Sequence, residues 1–259
     1  MKYWLIAGIL LLPSGLFAGQ QFKGMHSAIF ASTGAIAVSP GEGGGGGSSL
    51  TFAYNNGKSL QASGTTLVIT PAMKPSTNSL IVVGAVIGLS TFTSVVDNRG
   101  NVFMQNNFDS RVTVGVALWH FVATATYNGA YTITITVPGT TSILGGVVIA
   151  SNTNTSASVD VTTKSFLTTT NVVHTGTTPV TNAKTGICVA AFVDNDGTNH
   201  AITPRSPWTQ VAEEQDGTSY QTGAIAYSTT SVSNAVVTGN WTEQNLVTYG
   251  AVMTCFKDP

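Results

Sequence analysis

Between residue 50 and the C-terminal end, the chain consists of short runs rich in Val, Ile and Thr, separated by Gly, Asn, Asp and Pro. Apolar residues recur at every second position, as in residues 131–137 (YTITITV), and no run has the 3.6-residue period of an amphipathic helix. A period of two directs alternate side chains to one face of a sheet. The pattern therefore predicts an all-β fold, an antiparallel two-sheet sandwich.

The spacing of these runs leaves no room for the helical crossovers that join parallel strands. The predicted strands are Leu50–Tyr54, Thr66–Thr70, Leu80–Gly88, Phe92–Val96, Asn101–Gln105, Val112–Phe121, Tyr131–Val137, Ile143–Ser151, Ser158–Thr163, Ile187–Val193, Trp208–Glu213, Gly223–Ser228, Ala235–Asn240 and Val247–Phe256.

The composition excludes several classes of protein. Only 8% of the 259 residues are charged, and a net charge of −1 offers no basic surface for nucleic acid or for an acidic membrane. A charge-poor chain also lacks the Glu and Lys that usually cover helices, which again favours strands. The length suits one large sandwich, so we assign residues 50–259 to a single domain.

Residues 1–18 have the pattern of a secretion signal. Lys2 precedes an apolar stretch from Tyr3 to Leu12, and cleavage is expected after Ala18. The stretch is too short to span a bilayer comfortably, so we expect no stable membrane insertion once it is removed. A retained hydrophobic helix is the alternative. The segment predicts a secreted or surface-exposed protein.

Residues 19–49 contain a strand-like arm and a linker. The arm, residues 27–38 (SAIFASTGAIAV), alternates roughly between apolar and small residues, and residues 39–49 form a Gly- and Ser-rich tether. Such a tether has a root-mean-square reach of roughly 18 Å and stretches to about 36 Å. The arm is either an ordinary first strand or a strand that adds to a neighbour's sheet. Its candidate inserting residues are Ile29, Phe30, Ala35 and Ile36.

Cys188 and Cys255 are the only cysteines, and each lies in an apolar, strand-like run. In an oxidising compartment they predict one disulfide bridge, and two buried thiols are the alternative. The C-x-x-C spacing of redox and zinc sites is absent, so the pair does not indicate that chemistry.

Several segments share their order with a known family: SLIVVGAVIG, SVVDNRGNVF, VALWHFVATATYNGAYTITITV, GAIAYS and VTYGAVMTCF. In this order they resemble the jelly-roll-like β-sandwich domain of secreted bacterial and phage-encoded structural and surface proteins. The resemblance implies a structural and binding module without an active site, so it supplies no catalytic residue. Independently of it, Asp97–Asn101 (DNRGN) predicts a hairpin turn with Gly100 at positive φ.

Candidate residues for catalysis or metal binding are few. Asp194 and Asp196 precede Gly197 as in part of a calcium loop, but the Glu that completes such a loop is missing, and a tight turn is the alternative. Glu213 and Glu214 point to opposite faces of a strand and form no glycosidase pair by themselves. The sequence predicts neither an enzyme nor a cofactor.

The tryptophans are the candidates for stacking on sugar rings. Trp119 lies inside an apolar run and is predicted to be a core residue. Trp208 follows Pro207 near a strand start, and Trp241 lies near a strand end, so these two are predicted to be at the surface and to stack on glycans.

Three functional hypotheses remain. The first is an extracellular structural protein, a fibre, filament or surface subunit, that assembles with copies of itself when the arm adds to a neighbour's sheet. The second is a carbohydrate-binding or adhesive module, including a phage tail or virion surface protein, with glycans as partners. The third, a hydrolase, has the least support because no acidic pair is visible.

Overall fold

The computed structural model describes residues 51–111, 114–151, 159–178, 185–194, 202–215, 222–229 and 240–257. All regular structure in these ranges is β-strand, and they contain no helix long and apolar enough to cross a membrane. The predicted signal segment, arm and tether lie outside them.

Twelve strands follow one another in the described ranges. They are β1 (Thr51–Ile69), β2 (Leu80–Ile87), β3 (Ser94–Asp97), β4 (Met104–Arg111), β5 (Val114–Val122), β6 (Ile133–Ser151), β7 (Val159–His174), β8 (Thr185–Asp194), β9 (Ile202–Pro204), β10 (Thr209–Gln215), β11 (Thr222–Ser228) and β12 (Asn240–Lys257).

The strands form two sheets, each taken from one half of the chain. The first sheet has the order β1-β6-β2-β5-β4, with β3 paired to β6 beside this path. The second has the order β10-β11-β8-β12-β7, with β9 paired to β12. Every pairing between the described strands is antiparallel. The predicted all-β sandwich of two antiparallel sheets is therefore confirmed.

The second half of the chain repeats the strand order of the first half. The order β7-β12-β8-β11-β10 is the order β1-β6-β2-β5-β4 with six added to each number, and the third strand pairs with the sixth in both sheets. Strand lengths agree as well: β6 has 19 residues and β12 has 18, while β3 has 4 and β9 has 3. We call Thr51–Ser151 the first repeat and Val159–Lys257 the second repeat.

The registers of the two repeats also correspond. In the first repeat Ile81 lies opposite both Ile149 and Phe121, and in the second Cys188 lies opposite both Cys255 and Ser228. The fourth strand of each repeat has a register shift at the same place, between Gln105 and Asn107 in β4 and between Gln210 and Ala212 in β10. The topology and the irregularities both indicate a duplicated six-stranded unit.

The two repeats pack face to face through alternate apolar side chains. Burial of this surface is the main favourable contribution to folding. The first sheet contributes Leu80, Val82, Val86, Val116, Leu118, Leu144 and Val148, and the second contributes Ile187, Val189, Val193, Ile225, Tyr227, Val252 and Phe256.

The outer face of the first sheet is buried as well. The end of β1, the start of β6 and β3 form a flap (residues 67–69, 133–136 and 94–97) that folds over it, so that the flap side chains and the sheet share one apolar cluster. At Gly145 a Cβ atom would lie 2.7 Å from the Ile69 side chain and 2.8 Å from that of Leu67, so only glycine admits this approach. Because β2 is covered on both faces, all eight of its residues are buried, which explains its unbroken apolar sequence.

The main error of the sequence prediction concerns strand length. The runs predicted at 50–54 and 66–70 belong to the single strand β1, and those at 131–137 and 143–151 belong to β6. β1 continues through its polar and glycine residues because its pairing with β6 shifts register three times, and such irregularities bend a strand without ending it. The short strand β9 was not predicted.

Cys188 and Cys255 form a disulfide between directly opposite residues of β8 and β12, as predicted. The bridge lies in the apolar cluster on the outer face of the second sheet, together with Phe192 and Met253. By register it occupies the place that Ile81 and Ile149 hold in the first repeat. A covalent bond therefore replaces an apolar cross-strand pair.

The variant Cys188→Val with Cys255→Val should retain the fold, since valine suits this apolar layer, and should lose about 2–4 kcal/mol of unfolding free energy. Urea unfolding with and without reductant measures this: reductant should lower the stability of the wild type and leave the variant unchanged. Two titratable thiols in denatured, unreduced wild type would contradict the bridge.

His120 lies where β5 meets the second sheet. Its ring centroid is 5.4 Å from that of Phe256, and Nδ1 is hydrogen-bonded to the side-chain oxygen of Asn106. Burial lowers the pKa of His120 below its ordinary value, and a hydrogen bond with the backbone of Met104 opposes this only in part. The folded state therefore favours the neutral imidazole.

A depressed folded-state pKa means that the stability linked to His120 is present above its unfolded value of about 6.5 and is lost as pH falls through the folded value. Unfolding free energy should accordingly decrease between pH 7.5 and pH 5. The variant His120→Gln should show a smaller decrease over the same interval. An equal decrease in both proteins would assign the effect to other groups.

Candidate functional site

A concave site lies on the outer side of the first repeat. It is a half-open cavity of about 210 Å³ between β3, the start of β4 and the sheet beneath. None of the side chains that line it is charged. They are Phe92, Thr93, Ser94, Val95, Val102, Phe103, Gln105 and Trp119.

Aromatic rings form one wall of this cavity. Phe92 meets Trp119 edge to face, with ring centroids 4.8 Å apart, and Phe108 extends the cluster at 6.1 Å from Phe92. Edge-to-face packing stabilises such pairs beyond the area they bury. Trp119 is only 4% exposed, which confirms it as a core residue. Its indole therefore supports the wall and has no free face for a ligand to stack on.

The turn from Asp97 to Asn101 holds the outer rim in place. The buried carboxylate of Asp97 accepts hydrogen bonds from the backbone N–H groups of Arg99 and Asn101 (both 2.9 Å) and from the side-chain amide of Asn101 (2.8 Å). Gly100 has a φ of 84°, as the turn chemistry predicted. After this turn the chain returns along β3, where Val102 bridges to Val96.

Two tyrosines tie the turn to the rest of the repeat. The Asn101 amide also donates to the Tyr127 hydroxyl (2.8 Å), and the Tyr127 and Tyr131 rings lie 4.9 Å apart. Burial raises the pKa of Tyr127 and of Tyr131, and the negative charge of Asp97 raises both further. Both phenols therefore stay neutral at physiological pH.

An exposed apolar surface adjoins the cavity. Val68, Thr134, Val96 and Val102 lie side by side across the flap, and we call this cross-strand row the valine row. Val68 is 51% exposed and Val102 is 69% exposed. Met104, which is 67% exposed, begins the edge strand β4 and pairs with His120, so it lies on the opposite face of that strand from Gln105. With strands about 4.8 Å apart, the row extends roughly 14 Å. Large exposed apolar residues that gather in one place mark an interaction surface.

The structure describes one of the two predicted metal ligands. Asp194 is fully buried, and its carboxylate accepts a hydrogen bond from the backbone N–H of Thr222 (3.0 Å), which joins β8 to β11. Asp196 lies outside the described residues. In the ranges that the structure describes, no three His, Cys, Asp or Glu side chains gather as a metal site would require.

The two tryptophans predicted to be at the surface have different outcomes. Trp208 is only 7% exposed and packs in the apolar cluster on the outer face of the second sheet, so the surface prediction was wrong for it. By register Trp208 holds the position of Phe103 in the first repeat. Each of the two residues immediately precedes the fourth strand of its repeat. The backbone of Trp241 pairs with Pro204 and Val173, and its side chain lies outside the described residues.

The assembly residues Ile29, Phe30, Ala35 and Ile36 also lie outside the described ranges. Sequence reasoning missed the cavity because its walls come from three segments, residues 92–95, residues 102–105 and Trp119, that meet only in the folded chain. One signal was present, the run of aromatic and apolar residues Phe92, Val102, Phe103 and Met104 around a turn, which is unusual for exposed loop residues.

No protein family model, curated protein or solved structure matches this chain.

The variant Asp97→Ala should lose about 2–3 kcal/mol of unfolding free energy, because three hydrogen bonds to a buried carboxylate disappear. Asn98→Ala, in the same turn, is the matched control. It removes two exposed hydrogen bonds, one donated to the Ala130 carbonyl (2.9 Å) and a longer one accepted from the Thr132 N–H (3.4 Å), and should cost less than about 1 kcal/mol. Chemical denaturation measures both, and equal losses would show that the Asp97 carboxylate does not hold the turn.

Proposed function

We propose that this protein is an extracellular structural subunit that assembles with copies of itself, residues 27–38 of one copy adding as a strand to a sheet of the next. The observation that supports this most directly is that both sheets are open. Within the described residues the first sheet ends in β1 and β4, and the second ends in β10 and β7. An open edge presents unpaired N–H and C=O groups on which another strand can form.

The four edges differ in how well they resist such pairing. β7 carries Asp160 and Lys164, and β10 carries Glu213 and Glu214. Charged residues on an edge disfavour the addition of an apolar strand. Along β4 the charges are confined to its second half, after Phe108, whose carbonyl accepts a hydrogen bond from Lys164 (3.5 Å). Of β4, β7 and β10, the first half of β4 is therefore the most receptive part.

The donor in this proposal is the uncharged arm. It is joined to Thr51, the first residue of β1, through the Gly- and Ser-rich tether, so the sandwich edge and the donor strand are consecutive in the chain. Backbone hydrogen bonds supply the affinity of strand addition, and alternate side chains supply its specificity. The disulfide supports an extracellular location, since such bonds persist in oxidising compartments.

Deleting residues 27–38 should abolish assembly while leaving the sandwich folded. Light scattering and electron microscopy of the mature wild type should show oligomers or fibres, and the deletion variant should be monomeric with an unchanged β-sheet circular dichroism spectrum. Deleting residues 19–26, which precede the arm in the mature chain, is the control and should leave assembly unchanged. A wild type that is monomeric at all concentrations would overturn the proposal.

A carbohydrate-binding or adhesive module is the second candidate. The favouring observation is the cavity, in which the hydroxyls of Thr93 and Ser94 and the amide of Gln105 lie beside aromatic rings. Trp208 no longer supports it, because this side chain is buried. Binding to immobilised glycans that is lost in Gln105→Ala and retained in the arm deletion would favour this function over assembly.

A further inference from the structure

We propose that the receiving site for the arm is the cavity together with the adjoining exposed residues Val102 and Met104, and that Phe30 of a neighbouring copy inserts into the cavity. The inference rests on the proposed function and specifies which surface of the neighbour is used. It commits to residues 27–38 as the occupant.

The first argument is the position of the cavity. It opens beside Gln105, in the uncharged first half of β4, where that strand forms the edge of the first sheet. A strand added along this edge alternates its side chains between the two faces of the sheet. One set therefore points to the outer face, on which the cavity lies. An added strand can therefore pair through its backbone with β4 and insert a side chain into the cavity at the same place.

The second argument is size and chemistry. An engineered apolar cavity of about 150 Å³ holds a benzene molecule, so a cavity of about 210 Å³ has room for a phenyl ring. Phe30 is the only aromatic residue of the arm. Inserted beside Phe92 and Phe103, its ring adds to an existing edge-to-face cluster. Neither the arm nor the cavity lining contains a charged residue, so insertion leaves no charge to desolvate.

The third argument is the period of the arm. In an extended strand Phe30 and Ile36 lie on one face, and Ile29 and Ala35 lie on the other. If Phe30 enters the cavity, Ile36 shares its face and meets the outer side of the sheet. Phe30 and Ile36 are then required for binding, and Ile29 and Ala35 are not. This asymmetry separates insertion at this site from general hydrophobic adhesion.

The fourth argument concerns which copy supplies the arm. The start of β1 and the start of β4 lie at opposite edges of a five-stranded sheet, about 19 Å apart. The flap covers the outer face between them. An arm that reaches its own cavity must pass around the flap, which takes the tether beyond its root-mean-square reach of roughly 18 Å towards its extended length of about 36 Å. A neighbour placed beside β1 meets no such obstacle.

The test compares surface variants of the full-length mature protein. Val102→Lys and Met104→Lys change exposed side chains, so the fold should persist, and each should weaken assembly about tenfold or more by light scattering over a concentration series. Thr162→Lys, at an exposed position on β7, is the matched control and should assemble like the wild type. Phe30→Ser should mimic Met104→Lys, and Ile29→Ser should not.

A second measurement locates the contact directly. A photoreactive benzoylphenylalanine at position 30 should crosslink to residues 92–105, and mixing 15N-labelled with unlabelled protein should show by mass spectrometry that the linked segments come from different chains. Crosslinks within one chain, or to another strand, would overturn the inference.

Different results would refute the receiving site and the proposed function. If arm deletion abolishes assembly while Val102→Lys and Met104→Lys do not, the receiving site is wrong and the proposed function stands. If the arm-deleted protein still assembles, both are wrong.

Discussion

The packing of two apolar sheet faces against each other is the interaction on which the rest of this structure depends. Neither sheet shares a strand with the other, so the sandwich is held together chiefly by side chains such as Leu118 and Ile225. Asn107 adds a polar link, because its amide donates to the carbonyls of Thr163 (2.7 Å) and Met253 (3.1 Å) across the interface. A buried layer of this kind fixes both sheets and leaves their edges available.

The duplication explains how such a sandwich arises and where its halves have diverged. Two copies of one six-stranded unit present equivalent apolar faces, so each copy already suits the other. The outer layers differ. The second repeat has a disulfide where the first has Ile81 and Ile149, and the second has Trp208 where the first has Phe103. Only in the first repeat does the described outer surface gather large exposed apolar residues, Val68 and Val102. Because the core does not require the outer layers to match, the two repeats can carry different surface sites.

Local pattern predicted the fold class and the disulfide because both follow from short-range signals. Alternation identified the strands, and two cysteines in apolar runs, together with a segment that has the pattern of a secretion signal, predicted their bridge. The duplication was not predicted because it is visible in the strand order and register. The two halves of the chain share too few residues for the sequence to reveal it. Trp208 was misplaced because its neighbour Pro207 indicated a loop, while only the fold shows that this loop covers the sheet. The cavity required residues 92–105 to fold over Trp119 of β5, a contact between residues distant in the sequence.

The central claim is that residues 27–38 of one copy complete the first sheet of another beside β4. Electron cryomicroscopy of the assembled protein tests it most directly, because the density of the arm can be traced through its tether to the copy it belongs to. The account predicts one additional strand along β4 with an aromatic side chain in the cavity between Phe92 and Phe103, continuous with a different sandwich. An arm paired within its own copy, or an assembly in which β4 has no added strand, would contradict it.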